Sequence, residues 1–133
     1  MKRLLPSRLA LTVGSALLLA VAGRVVAHHS FVATYQADSR IEIQGTVKEL
    51  VWRNPHSFLR IDVREEDGTT RTWSLEWTSA NRLAESNLTQ TTLRPLDVVI
   101  ATGSPARIPE SPRMLLRQLR RPSDGWEWIG DVD

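Results

Sequence analysis

The chain contains no cysteine, and among its 133 residues only one tyrosine, two phenylalanines, two methionines and three histidines. Without cysteine there is no disulfide, no thiolate nucleophile and no lipid attachment through a processed N-terminal cysteine. No Gly-x-Ser-x-Gly elbow occurs, and no carboxylate pair stands out from the scattered acids, so turnover is not expected. There is no internal repeat and no low-complexity tract. Nor is there an apolar run of the roughly 20 residues that a spanning helix needs.

What the first residues do contain is a leader. Lys2, Arg3 and Arg8 precede a short apolar core over residues 9–22, which reads as a cleaved secretory signal rather than a membrane span. No Arg-Arg pair precedes that core, so the general secretory route is expected rather than the twin-arginine one. Small residues permit cleavage after Ala27 or after Ala22, and Ala27 is preferred because the earlier cut leaves a purposeless Gly23-Arg24-Val25-Val26 tag. The expected division is a signal peptide over residues 1–27, an N-terminal arm over 28–40 and one small domain over 41–133. Its destination is the periplasm or the medium, with no stable membrane anchor after cleavage.

Removing residues 1–27 reverses the charge balance. The full chain has a formal net charge of +2, but four of its 17 basic residues lie in the leader and all 15 acids lie after it. The processed form therefore carries −2. Its basic character is a property of the leader, and a nucleic-acid partner is not expected.

The dominant period in the remainder is two. In "IEIQGTVKELVW", Ile41, Ile43 and Val47 share one parity while Leu50 and Trp52 take the other. The switch near Lys48-Glu49, after Gly45, predicts a β-bulge in a long bent strand. Leu59, Ile61 and Val63 alternate, as do Trp73, Leu75 and Trp77, and Asp67-Gly68 between the two runs signals a hairpin. Ser79 can cap a short helix over residues 80–87, with Asn87 at its C-terminal end. A turn at "LRPLD", the strand "VVIATG", and a closing hairpin through "PSDG" complete the chain. This is the order of a small five-stranded Greek-key barrel of the oligonucleotide/oligosaccharide-binding (OB) type with one short helix. A flat antiparallel sheet with a packed helix is the alternative.

"AHHSF", "GTVKELVWRNPH", "DG" followed by "WSLE", and "LRPLDVVIATGSPA" together resemble a family of small exported bacterial proteins known as a domain of unknown function. The resemblance covers nearly all of the processed chain and implies export and a small β fold, with no activity attached. One departure is Pro95-Leu96-Asp97, where the family pattern has Pro-Gly-Asp. Leucine avoids positive φ, so a different turn type is expected there.

The histidines carry the functional reading. His28 and His29 lie immediately after the favoured cleavage site, and His56 lies in "WRNPHSF". "FVATY" has strand composition and "QADSR" reads as a turn, so an arm folded back on the first strand would carry the new N-terminus toward Asn54-Pro55 and His56. Cleavage after Ala27 would give His28 a free amine beside its own ring nitrogen. With His56 or His29 as a further nitrogen this is a histidine brace, a donor set that suits copper(II) and, behind it, other divalent metals. Glu76 and Asp62, on the polar parity of the middle strands, are the carboxylates that could ligate or orient an imidazole. The opposing reading is a frayed polar start and a turn histidine.

A competing class is a metal-free interaction module for a periplasmic protein or glycan. Trp126 and Trp128 would supply a stacking platform for it, and Arg117 and Arg121, within a basic run with Arg113 and Arg120, a charged rim. Against this, inward-facing tryptophans and a charge-blunted strand edge account for the same residues without any partner.

Overall fold

The computed structural model describes residues 31–130. Strand β1 (Ile41–Val51) is the organising element, because its two halves serve different neighbours. Its first half pairs antiparallel with β4 (Val98–Pro105), from Ile41↔Gly103 to Thr46↔Val98. Its second half pairs with β2 (Phe58–Arg64), and the register slips between Val47 and Glu49. That slip is the bulge announced by the parity switch. Gly45 precedes it where a Cβ would lie 2.8 Å from the Asp62 carbonyl, so only glycine fits the close approach.

Strand β2 turns into β3 (Thr70–Glu76) through the Asp67-Gly68 hairpin. Gly68 takes φ 83°, and Asp67 Oδ1 accepts from the Thr69 amide at 2.8 Å. Helix α1 (Ala80–Glu85) follows, with Ser79 Oγ accepting from the Arg82 amide at 3.2 Å. At its end Asn87 takes φ 60°, and the Asn87 and Leu88 amides return to Ala84 and Leu83 carbonyls, a Schellman closure.

Strand β5 (Arg113–Arg121) closes the ring. It pairs antiparallel with β4 and parallel with β3, Ser74↔Arg113 to Glu76↔Leu115. The resulting circuit β1-β2-β3-β5-β4 is the expected OB-like barrel, and the short strand β6 (Trp126–Ile129) extends it from the second half of β5. Leu59, Ile61, Leu75, Val99, Met114 and Leu119 fill the interior with no exposed surface. Each such side chain contributes roughly 1.5–3 kcal/mol of burial.

Two expectations are corrected. The "FVATY" segment does not fold back as a strand on β1. Residues 31–34 are helical, and Tyr35, where the barrel's compact unit begins, forms an isolated antiparallel bridge with Ala106. The physical reason is Tyr35 itself. A buried phenol places its hydroxyl on an acceptor, and Glu76 at the β3–β5 seam is the acceptor it finds. The "QADSR" turn does form, with the Ser39 amide donating to the Gln36 carbonyl at 3.0 Å.

The second correction concerns Leu96, which takes φ 76° and so keeps the glycine-type turn. The Asp97 amide donates to the Arg94 carbonyl at 3.1 Å, and the Leu96 amide to the Val47 carbonyl at 2.8 Å. The turn is thus stitched to β1, and its hydrogen bonds override the residue's preference.

Candidate functional site

Trp73 and Leu75 on β3, and Trp77 just past its end, belong to or pack against the core, so by alternation Glu76 points to the outer wall of the seam. A carboxylate there would ordinarily be solvated, yet Glu76 is only 8 % exposed. Three side chains surround it. Tyr35 donates its hydroxyl to Oε2 at 2.5 Å, His56 Nδ1 lies 2.8 Å from Oε1, and Arg113 Nη2 lies 3.7 Å from Oε2. A buried carboxylate needs such partners, because leaving it bare is costly. Burial first, and the Glu76 carboxylate second, push the Tyr35 phenol well above its ordinary value.

His56 is held by a short, tightly bonded loop. Asn54 and Asn81 exchange hydrogen bonds at 3.2 Å, tying the loop to the start of α1. Ser57, fully buried, donates to the Arg53 carbonyl at 3.1 Å, and its backbone pairs with Trp77 and Thr78. Arg53 Nε donates to the His56 carbonyl at 3.2 Å and its guanidinium rests 4.9 Å from the Phe58 ring. The imidazole therefore stands on a braced platform. With Nδ1–H on the carboxylate, a neutral ring carries its lone pair on Nε2, the nitrogen through which His56 would ligate a metal.

This cluster sits where OB-type barrels commonly bind. The β1–β2 loop brings His56 and the β4–β5 loop delivers Arg113.

The other residues singled out from sequence fall elsewhere. His28 and His29 lie outside the described residues. Asp62 belongs to a separate ladder on the outer wall, accepting from Thr72 Oγ1 at 2.5 Å and lying 3.5 Å from Lys48 Nζ. Phe58, not Asp62, is the β2 residue opposite Glu76. Trp126 and Trp128 pack against the core, and Trp128 meets Trp77 edge-on at 5.1 Å between ring centroids. Arg121 is held by Asp97 and Asp124, each at 2.9 Å, and by the Thr92 carbonyl at 2.6 Å. Arg117 sits on β5 two residues beyond Leu115, the partner of Glu76, and makes no ion pair with that carboxylate among the described residues. Among the described residues no three His, Cys, Asp or Glu side chains gather closely enough to hold a metal ion. Within the barrel, His56 and Glu76 are a hydrogen-bonded imidazole–carboxylate pair and not a complete metal donor set.

Sequence reasoning missed Tyr35. The available signal was its uniqueness, since the only tyrosine in a chain this poor in aromatics has a hydroxyl that must be satisfied if buried.

A family model described as a family of unknown function, DUF6152, matches residues 16–114. The chain belongs to that family. Neither the curated proteins nor the solved structures contain a match. Every residue of the DUF6152 cluster from Tyr35 through Arg113 falls inside the matched span. Membership brings no activity with it, and a fold of this kind hosts many unrelated ones. Function rests on the site.

Proposed function

We propose that this DUF6152 protein is exported, trimmed after Ala27, and binds copper(II), or another divalent metal, for buffering, delivery or sensing. His28 supplies its amine and ring nitrogens, His56 a second imidazole, and His29 a further nitrogen or an outer contact. The observation that carries the reading is the 2.8 Å contact between His56 Nδ1 and the buried Glu76 carboxylate. A carboxylate behind the remote nitrogen is how ligating histidines are oriented and made more basic.

Chain length supports it. Tyr35 is anchored at Glu76, and His28 is seven residues upstream. With residues 31–34 helical at about 1.5 Å each and the other three spanning at most roughly 3.4 Å each, the segment reaches about 16 Å, a span compatible with a return to His56, which contacts the same Glu76 carboxylate as Tyr35. The donor chemistry supports it as well, since amine and imidazole nitrogens without thiolate favour copper(II) over copper(I).

The test begins with the intact mass of exported protein, which should correspond to a start at His28. Copper(II) titrated into that material should bind one-to-one with a visible d–d band. His28→Ala and His56→Ala should each lose most of the affinity, and Glu76→Gln should weaken it about 10–100-fold. Copper affinity indifferent to both histidine substitutions would falsify the reading.

A further inference from the structure

The two oxygens of the Glu76 carboxylate are taken by different partners. His56 Nδ1 lies 2.8 Å from Oε1, and Tyr35 donates its hydroxyl to Oε2 at 2.5 Å. Arg113 stands behind Tyr35. Its Nη2 donates to the Tyr35 hydroxyl oxygen at 3.5 Å and lies 3.7 Å from Oε2. Tyr35 and Glu76 are both buried, where a polar group left without its bond is costly.

The direction of each bond follows from what each group can do. A guanidinium only donates, so the Tyr35 oxygen accepts from Arg113 and turns its own proton to Glu76. An ionised carboxylate only accepts. With Oε2 receiving the Tyr35 proton, Oε1 is left for the imidazole, and Nδ1 must carry the hydrogen. The opposite tautomer would set a ring lone pair against a carboxylate lone pair across 2.8 Å.

Tyr35 is itself fixed. Its backbone bridges to Ala106, the Gln36 amide donates to the Pro105 carbonyl at 2.9 Å, and Gln36 Nε2 donates to the Ala106 carbonyl at 3.0 Å. The Ala106 amide in turn donates to the Arg113 carbonyl at 3.0 Å, so phenol and guanidinium are registered on one stretch of backbone. Without the phenol, Oε2 would be left to Arg113. A guanidinium takes both oxygens of a carboxylate side by side, which would draw Glu76 away from Nδ1 and let the imidazole sample both tautomers.

We propose that Tyr35, steadied by Arg113, is a positioning residue that fixes the tautomer of His56 and so makes Nε2 its metal-binding nitrogen. The role in binding rests on the copper reading, whereas the tautomer is measurable without metal.

Nitrogen NMR shifts of the His56 ring, taken in metal-free protein at a pH where the ring is neutral, identify the protonated nitrogen. The parent should carry hydrogen on Nδ1. A parent with hydrogen on Nε2 overturns the proposal whether or not any variant folds. In Tyr35→Phe the two shifts should converge as the tautomers mix, and copper(II) affinity should fall about three- to tenfold. In a Glu76→Gln background the same substitution should add nothing, because the carboxylate through which Tyr35 acts is gone. Affinity lost with unmoved nitrogen shifts, or lost equally in the Glu76→Gln background, overturns the proposal, since Tyr35 would then merely hold the fold. A parent that binds no copper overturns the copper reading and this role with it. A parent that binds copper through His56, beside a Tyr35→Phe variant of equal affinity, overturns this inference alone.

Discussion

Replacing Leu96 with glycine should make the protein more stable. Leu96 occupies the third position of the turn Arg94-Pro95-Leu96-Asp97 at φ 76°, with 82 % of its surface exposed. Its side chain therefore contributes little burial, while the left-handed backbone costs an L-residue about 1–2 kcal/mol. Glycine removes that strain but loses about 0.5–1 kcal/mol through the greater freedom of its unfolded chain. The difference is a gain of about 0.5–1 kcal/mol. For a domain of this size that is roughly 3–6 °C in Tm. The backbone should not move, because the Leu96 amide bond to Val47 and the Val47 amide bond to Asp97 survive the change. Urea and thermal unfolding of Leu96→Gly beside Leu96→Ala make the test. Alanine keeps the Cβ and so keeps the strain. If alanine matches glycine, the gain comes from shedding an exposed leucine and the φ argument is refuted. A glycine variant no more stable than the parent refutes it too.

Gly103→Ala would put a Cβ 2.3 Å from the Leu115 carbonyl and 2.8 Å from Met114 Sδ, and should cost about 3 kcal/mol. A urea midpoint equal to the parent's would contradict the β4–β5 register. Tyr35, raised by burial and then by Glu76, stays protonated in the fold after the unfolded chain begins to ionise. Its stabilisation should be full below the ordinary value of about 10 and fall as pH rises further, a slope that Tyr35→Phe should reduce in alkaline melts. Asp97 is depressed by the Arg94 amide and then by Arg121, against an opposing effect of desolvation. Its stabilisation is present above the ordinary carboxylate value of about 3.9 and lost as pH falls through the lower folded value. Acid melts of Asp97→Asn should show a flatter limb below about pH 4, and an unchanged limb would reject that assignment. Glu76→Gln removes a buried charge from three partners and should lose about 1–3 kcal/mol in urea unfolding, whereas an unaffected midpoint would mean the cluster adds no stability.

The parts of this fold legible in the sequence are those set by neighbours along the chain. The bulge near Lys48 shows as a parity switch, the β2–β3 hairpin as Asp-Gly, and the helix start as Ser79 before an apolar pattern. The hairpin discloses more than its own existence. Pairing outward from Asp67 sets Phe58 opposite Glu76 and Asp62 opposite Thr72. That count alone brings His56, two residues before Phe58, toward Glu76 and leaves Asp62 further down the strand. What local pattern cannot supply is a partner from far away. "FVATY" has the composition of a strand, but composition does not name an edge, and Tyr35 meets Ala106 rather than β1. Leu96 misleads for a related reason, since an intrinsic preference of one or two kcal/mol yields when a turn is bonded on both sides to another strand.

The arginine run shows the same limit in charge. Read along β5, four cations look like one basic face. In space the acids that answer three of them come from β1, β3, the turn before β4 and the turn after β5, at Glu42, Glu76, Asp97 and Asp124. Glu76 answers more than Arg113. It also receives Tyr35 from the start of the barrel unit and His56 from the β1–β2 loop, so segments far apart in sequence meet on one side chain. A carboxylate used only for solubility would gain nothing from such burial and would bear its desolvation cost. An imidazole destined for a metal gains orientation and basicity from it. That asymmetry is why the cluster around Glu76, rather than the tryptophans or the arginine run, is the place to look for function.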